Sequence, residues 1–87
     1  MDIEFDPAKD AANREKHGVS LVLGAAVLMG LVGEIVDDRR AYGELRMNAF
    51  GLVQGRLYAC TYTIRENRIR LISVRKANVR EQKRWLP

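Results

Sequence analysis

One cysteine, one histidine and two prolines in 87 residues leave little for several kinds of chemistry. Cys60 has no partner for an internal disulfide, and one Cys with one His falls short of the Cys/His sets that hold zinc. Cys60 reads instead as a small buried hydrophobe. No spaced acidic loop suggests calcium, and neither GxGxxG nor GxxxxGK[ST] occurs, so no metal and no nucleotide cofactor is expected. A Ser/His/Asp triad can be written on paper from Ser20 or Ser73, but neither serine lies in a nucleophile-elbow motif. The longest apolar stretch, Leu21 to Gly33, is interrupted by Gly24 and Gly30 and falls short of the roughly 18 residues a membrane span requires. The acidic start "MDIEFDP" has neither the basic opening nor the apolar centre of a signal peptide. These absences point to a cytoplasmic protein with no membrane segment.

What is present suits one small domain covering residues 1–87, since a chain of this size buries only about 60 to 65% of its unfolded surface. Hydrophobic residues make up 47% and charged residues 30%, a globular balance. The net charge of +4 is unevenly divided. Residues 1–44 hold five Lys/Arg and nine Asp/Glu, net −4, whereas residues 45–87 hold ten and two, net +8. A basic C-terminal half favours a polyanionic partner, nucleic acid first, and the acidic half favours a separate contact.

Along the chain, Ile3 and Phe5 alternate with acidic residues, the period of a short half-buried strand. Asp6-Pro7 then starts a helix, the carboxylate capping free amides and the proline occupying the first turn. Gly18 ends it in a left-handed conformation, with Lys16 and His17 near the negative end of its dipole. Ser20 caps a second helix running to about Met29, whose near-continuous apolar sequence "LVLGAAVLMG" implies burial on most sides. From Gly33 the pattern changes to four strands in a meander: "GEIVDDR", "LRMNAFG", "RLYACTYTIR" and "RIRLISVRK". Asn78 caps a short C-terminal helix reaching Trp85. The order is β-α-α-β-β-β-β-α, an α+β fold with a mainly antiparallel sheet packed by two N-terminal helices.

Basic residues concentrate on the last two strands and the final helix: Arg65, Arg68, Arg70, Arg75, Lys76, Arg80, Lys83 and Arg84. If Glu66-Asn67 is a two-residue turn, Arg65 faces Arg68, Thr63 faces Arg70 and Arg75 points to the other side; a three-residue loop instead aligns Arg65 with Arg75. In either register at least two arginines share one face beside Thr61 and Thr63 or Ser73, a surface suited to phosphate. Each arginine taken alone also fits a solvated sheet edge protected from aggregation. Together they stand out, because only Glu66 and Glu81 interrupt the run.

The segments "FDPAKDAANREKHGVSL" (Phe5 to Leu21), "GELR" (Gly43 to Arg46), "FG" (Phe50-Gly51), "GRLYACTYTIR" (Gly55 to Arg65) and "RLISVRKANVREQKRW" (Arg70 to Trp85) resemble the BrnT family of type II toxins. The resemblance spans nearly the whole chain with order and spacing kept. It departs between the second helix and Gly43, where the chain is more apolar and contains no proline. The resemblance implies a RelE-like fold, metal-independent RNA cleavage and neutralisation by a BrnA-like ribbon-helix-helix antitoxin, with DNA contacted only through that antitoxin. It also assigns functional weight to Arg65, Arg75, Glu81, Trp85 and the position of His17.

RNA supplies its own nucleophile, the 2′-hydroxyl, so such an enzyme must orient it, take its proton, stabilise the phosphate and protonate the departing oxygen. Arg65 and Arg75 suit the phosphate, with Arg68, Arg70, Lys76, Arg80, Lys83 and Arg84 as further RNA contacts. Glu81 or Lys76 is open to the acid/base role after a pKa shift; alternatively Glu81 pairs with Arg84 or Lys83 on the helix surface. Trp85 either stacks on a base or anchors the last helix. His17 has the intrinsic pKa for proton transfer, or it finishes the first helix by donating to free carbonyls. Two other classes of function fit the same residues: a nucleic-acid-binding module that cuts nothing, and an antitoxin-binding co-repressor domain. Apolar surface around "LVLGAAVLMGLVG" is open to cover by a partner or by a second copy of the chain, which would make a homodimer.

Overall fold

A computed structural model describes residues 2–39 and 41–87. Its elements are β1 (Ile3–Glu4), α1 (Pro7–His17), α2 (Leu23–Met29), β2 (Leu31–Val36), β3 (Arg46–Val53), β4 (Arg56–Arg65), β5 (Arg68–Lys76) and α3 (Val79–Trp85). The strands form one sheet in the order β1-β5-β4-β3-β2, antiparallel except for β1, which pairs with β5 in parallel. The architecture is therefore α+β.

Strand alternation divides the core between the two faces of the sheet. On one face, Cys60, Leu71 and Val74 pack with Leu21 and Val27 under α1 and α2. On the other, Phe50, Leu57, Ala59 and Ala77 pack with Trp85 and Leu86 from α3 and its end. Two close approaches require glycine. A Cβ on Gly51 would lie 1.9 Å from the Val27 carbonyl oxygen, and one on Gly33 would lie 2.3 Å from the Trp85 ring. Glycine thus lets α2 sit directly on β3 and lets Trp85 lie over β2.

Helix α1 begins as its sequence suggests: Asp6 accepts a hydrogen bond from the Ala8 amide at 2.9 Å and Pro7 opens the first turn. Gly18, at φ 74°, closes it by donating to the Arg14 carbonyl at 2.8 Å. Three expectations are corrected. Ser20 starts a turn, its hydroxyl accepting from the Val22 amide at 3.1 Å, and regular helix begins only at Leu23. Nor is α2 buried on most sides: only Gly24 and Val27 are, while Met29 is 91% exposed. The helix lies on the sheet as an outer layer, so only the stripe facing β3 and β4 is covered. The strand after it begins at Leu31 rather than Gly33, one residue beyond the helix-ending Gly30.

Asn13 joins the layers. Its side-chain amide donates to the Val74 carbonyl at 2.8 Å and its oxygen accepts from the Val74 amide at 3.1 Å, while a second donor reaches the Val19 carbonyl at 2.8 Å. The side chain acts as one more strand partner along the edge of β5 beyond β1. Asp10 fixes the following turn, accepting from the Ser20 hydroxyl and the Leu21 amide at 2.8 and 2.7 Å. The end of α1, with Lys16 and His17, is thereby held against β5.

The hairpin between β4 and β5 turns on Glu66 and Asn67, with φ of 49° and 62°, which is the two-residue primed turn. Arg65 faces Arg68 and Thr63 faces Arg70, as that turn requires. A bulge then intervenes, because Tyr62 pairs with Leu71 but Thr61 pairs with Ser73, leaving Ile72 as an extra residue. One inserted residue reverses the alternation. Ser73 and Arg75 therefore return to the face that carries Thr61 and Arg65, correcting the expectation that this turn sends Arg75 to the other side.

Candidate active site

The bulge and the α1 anchor together build a cleft. Its walls are Lys16 and His17 at the end of α1, Arg39 after β2, Asn48 on β3, Thr61 on β4, and Ser73 and Arg75 on β5. Arg75 is held from behind by α3, its two terminal nitrogens donating to the Glu81 carboxylate at 2.7 and 2.8 Å. Glu81 also completes a capping box with Asn78, so the same carboxylate orients the arginine and starts the helix. This pairing lowers the Glu81 pKa, chiefly through the Arg75 hydrogen bonds, and raises that of Arg75. Three of the five guanidinium N–H donors are engaged, two by Glu81 and one weakly by the Lys76 carbonyl, leaving two for a ligand.

His17 meets the cleft in an environment that favours its neutral form. Its pKa lies below the ordinary histidine value of 6.5, first because of burial and then because of the charges of Lys16 and Arg75. The expected donation to helix carbonyls is not among the hydrogen bonds of the described residues, and the helix end is closed by Gly18 instead. A neutral imidazole beside two cations can accept a proton. Thr61 and Asn48 are joined across β4 and β3 by a 2.7 Å hydrogen bond from the threonine hydroxyl, giving the floor a fixed polar surface.

The other sequence candidates divide by position. Arg80, Arg84 and Trp85 line the adjoining cavity on the α3 side, together with Arg75 and Arg39. Trp85 stacks on Phe50, with centroids 5.1 Å apart and planes inclined by 21°, and Arg84 lies 5.0 Å from the Trp85 ring centroid. Packing thus holds one face of the indole, in keeping with the anchor reading. Glu81 pairs with Arg75 rather than with Arg84 or Lys83, and its lowered pKa does not suit it to take a proton near neutrality.

Arg65 does not join Arg75. Ala59, the partner of Arg75, is six residues from Arg65 along β4, which at about 3.3 Å per residue separates them by roughly 20 Å. Arg65 instead forms a two-bond pair with Glu44 at 2.9 Å. Arg70 pairs with Glu4, and Arg68 approaches the same carboxylate at 3.6 Å. Lys76, by alternation from Arg75, lies on the face of the sheet that carries α1 and α2, and Lys83 is exposed on α3 outside the cleft. Thr61 and Ser73, expected beside the arginines, do line the cleft, whereas Lys16, Arg39 and Asn48 lie outside the basic run of the last two strands and final helix. Lys16 was visible beside His17 at the end of α1, whereas Arg39 and Asn48 are brought to the cleft by the loop after β2 and by β3.

Cys60 is buried within the sheet, and burial pushes its thiol up to about 12. Among the described residues no three His, Cys, Asp or Glu side chains gather as a metal ion would need, and the groups that face the cleft suit an anion. No helix in the described residues is long and apolar enough to cross a membrane. No curated protein matches the chain. Residues 5–81 match the family model described as "Ribonuclease toxin, BrnT, of type II toxin-antitoxin system". From Phe5 through Glu81, then, strands β2 to β5, the α1 anchor and the basic cleft lie within one family match, and the chain belongs to the BrnT family of ribonuclease toxins of type II toxin-antitoxin systems.

Proposed function

We propose that the chain is a single-domain, metal-independent endoribonuclease with a RelE-like fold, working in the cytoplasm and restrained by a BrnA-like ribbon-helix-helix antitoxin. The observation that carries the reading is the convergence of His17 with Arg75, Lys16 and Arg39 over Ser73, Thr61 and Asn48. In it, His17 takes the proton from the 2′-hydroxyl as that oxygen attacks the adjoining phosphorus. The two open Arg75 donors and the charge of Lys16 stabilise the crowded phosphate, supplying the positive charge that a divalent ion would otherwise provide. The departing 5′-oxygen needs a proton in return, and Lys16 is the ammonium donor at the cleft. Glu81 is a positioning residue that keeps Arg75 aimed. Arg80 and Arg84 extend the contact along the RNA, while Trp85 serves as the anchor of α3.

Internal attack leaves a 2′,3′-cyclic phosphate on one fragment and a free 5′-hydroxyl on the other. An RNA oligomer cut by the chain is expected to lose cleavage at the scissile step when only that nucleotide is changed to 2′-deoxy. Cleavage persisting at the deoxy position would contradict internal attack.

A further inference from the structure

Arg39 lies in the stretch where this chain departs from the family pattern, yet its side chain is held by two hydrogen bonds. Its Nε and Nη2 donate to the two oxygens of Asp37 at 2.8 and 2.9 Å. Asp37 has no exposed side-chain surface and also accepts from the Tyr42 hydroxyl at 3.2 Å. Arg39 itself is 71% exposed, so a buried carboxylate holds an exposed guanidinium at a set position. The hydrogen bonds from Arg39 carry the Asp37 pKa down to about 2, and the pair stays charged through any ordinary pH.

Beyond the central cleft lies a second cavity of about 490 Å³ lined by Lys16, Arg39, Tyr42 and Arg46. Lys16 and Arg39 line both cavities, so the two share a wall. Arg46 is stacked 3.9 Å above the Tyr42 ring centroid. Its Nε lies 3.4 Å from Glu44, as an ion pair without a hydrogen bond. Three cations thus surround the cavity, and the carboxylate nearest Arg39 is turned into the protein. Such an arrangement suits a second anion next to the first.

We propose that Arg39, with Lys16 and Arg46, forms a second phosphate subsite that takes the phosphate adjoining the scissile one, so the substrate is a polynucleotide strand rather than an isolated phosphodiester. The proposal rests on the RNA reading above. Asp37 is the positioning residue of this subsite. Its two-point hold on Arg39 is one a lysine cannot reproduce.

The test is binding by fluorescence anisotropy across a salt series, using a labelled 2′-O-methyl RNA oligomer that cannot be cut and, separately, a labelled nucleoside 3′-monophosphate carrying one phosphate. Each phosphate contact to a single strand contributes about 0.7 to the slope of log affinity against log salt. Arg39→Ala is expected to bind the oligomer about tenfold more weakly with the slope reduced by about 0.7, and to bind the monophosphate as the wild type does. Arg39→Lys keeps the slope and loses affinity, and Arg14→Ala, an exposed arginine outside both cavities, changes neither. An unchanged oligomer slope in Arg39→Ala, with the wild type binding well, overturns the subsite and leaves the RNA reading standing. Equal loss for oligomer and monophosphate overturns it too, by placing Arg39 in the central site. A wild type that binds no oligomer at all removes both.

Discussion

His17 is less basic than a free histidine, although a helix C-terminus alone would make it more so. Burial and the neighbouring charges of Lys16 and Arg75 outweigh the dipole, and the consequence extends to stability. Between neutrality and acid, the unfolded chain takes up the histidine proton before the folded one does, so this residue withdraws stability as pH falls through 6.5 and contributes none of that loss above pH 7. Urea unfolding of His17→Gln should therefore show a smaller drop in stability from pH 7.5 to pH 5 than the wild type, the carboxylates being common to both. A larger drop would mean that the fold raises the histidine pKa. The histidine was visible in the sequence as the only one, with Lys16 beside it, but its approach to Arg75 was not, because Arg75 reaches it through a bulge that no local pattern announces. The role of Glu81 was similarly half visible: its place as the third residue of a capping box follows from Asn78, whereas its hold on Arg75 depends on how α3 returns to the sheet.

At the scale of elements, the "FDPAKDAANREKHGVSL" stretch turns out to be mostly scaffold that brings Lys16 and His17 to the cleft. Asp6 and Pro7 start α1, Asp10 fixes the turn after it, Asn13 binds the edge of β5 and Gly18 closes the helix. Capping and closure were legible because they depend on neighbours in sequence. The Asn13 contact spans 61 residues and was not. Replacing Asn13 with alanine leaves a buried Val74 amide and carbonyl unpaired, at about 1–3 kcal/mol for each group. Asn13→Ala is therefore expected to lower the unfolding free energy by about 2–6 kcal/mol in urea titration, and a loss under about 0.5 kcal/mol would show that water replaces the bridge. The meander was legible from β-branched alternation and its turn residues. The exposed outer side of α2 was not, since an apolar run says nothing of which layers will cover it.

For the molecule as a whole, the charge division between the two halves has two outcomes. Acidic residues of the first half fold onto arginines of the second, Glu4 on Arg68 and Arg70, Glu44 on Arg65. These pairs occupy the hairpin end of the sheet. Lys16, Arg39, Arg75, Arg80 and Arg84 gather around the cavities at the other end, where α1, the loop after β2 and α3 meet the bulged strand. Composition revealed the excess but not its location, because the pairs join residues 21 to 66 positions apart. Whether this end of the sheet cuts RNA is decided by cleavage of a defined RNA in EDTA by the wild type, His17→Gln and Arg75→Ala at matched folding. The wild type is expected to cleave, with losses of about 10²- to 10⁴-fold on removing the proposed proton acceptor and about 10²- to 10³-fold on removing the arginine. Wild-type rates in both variants, or no cleavage by a folded wild type even with ribosomes supplied, would contradict that expectation.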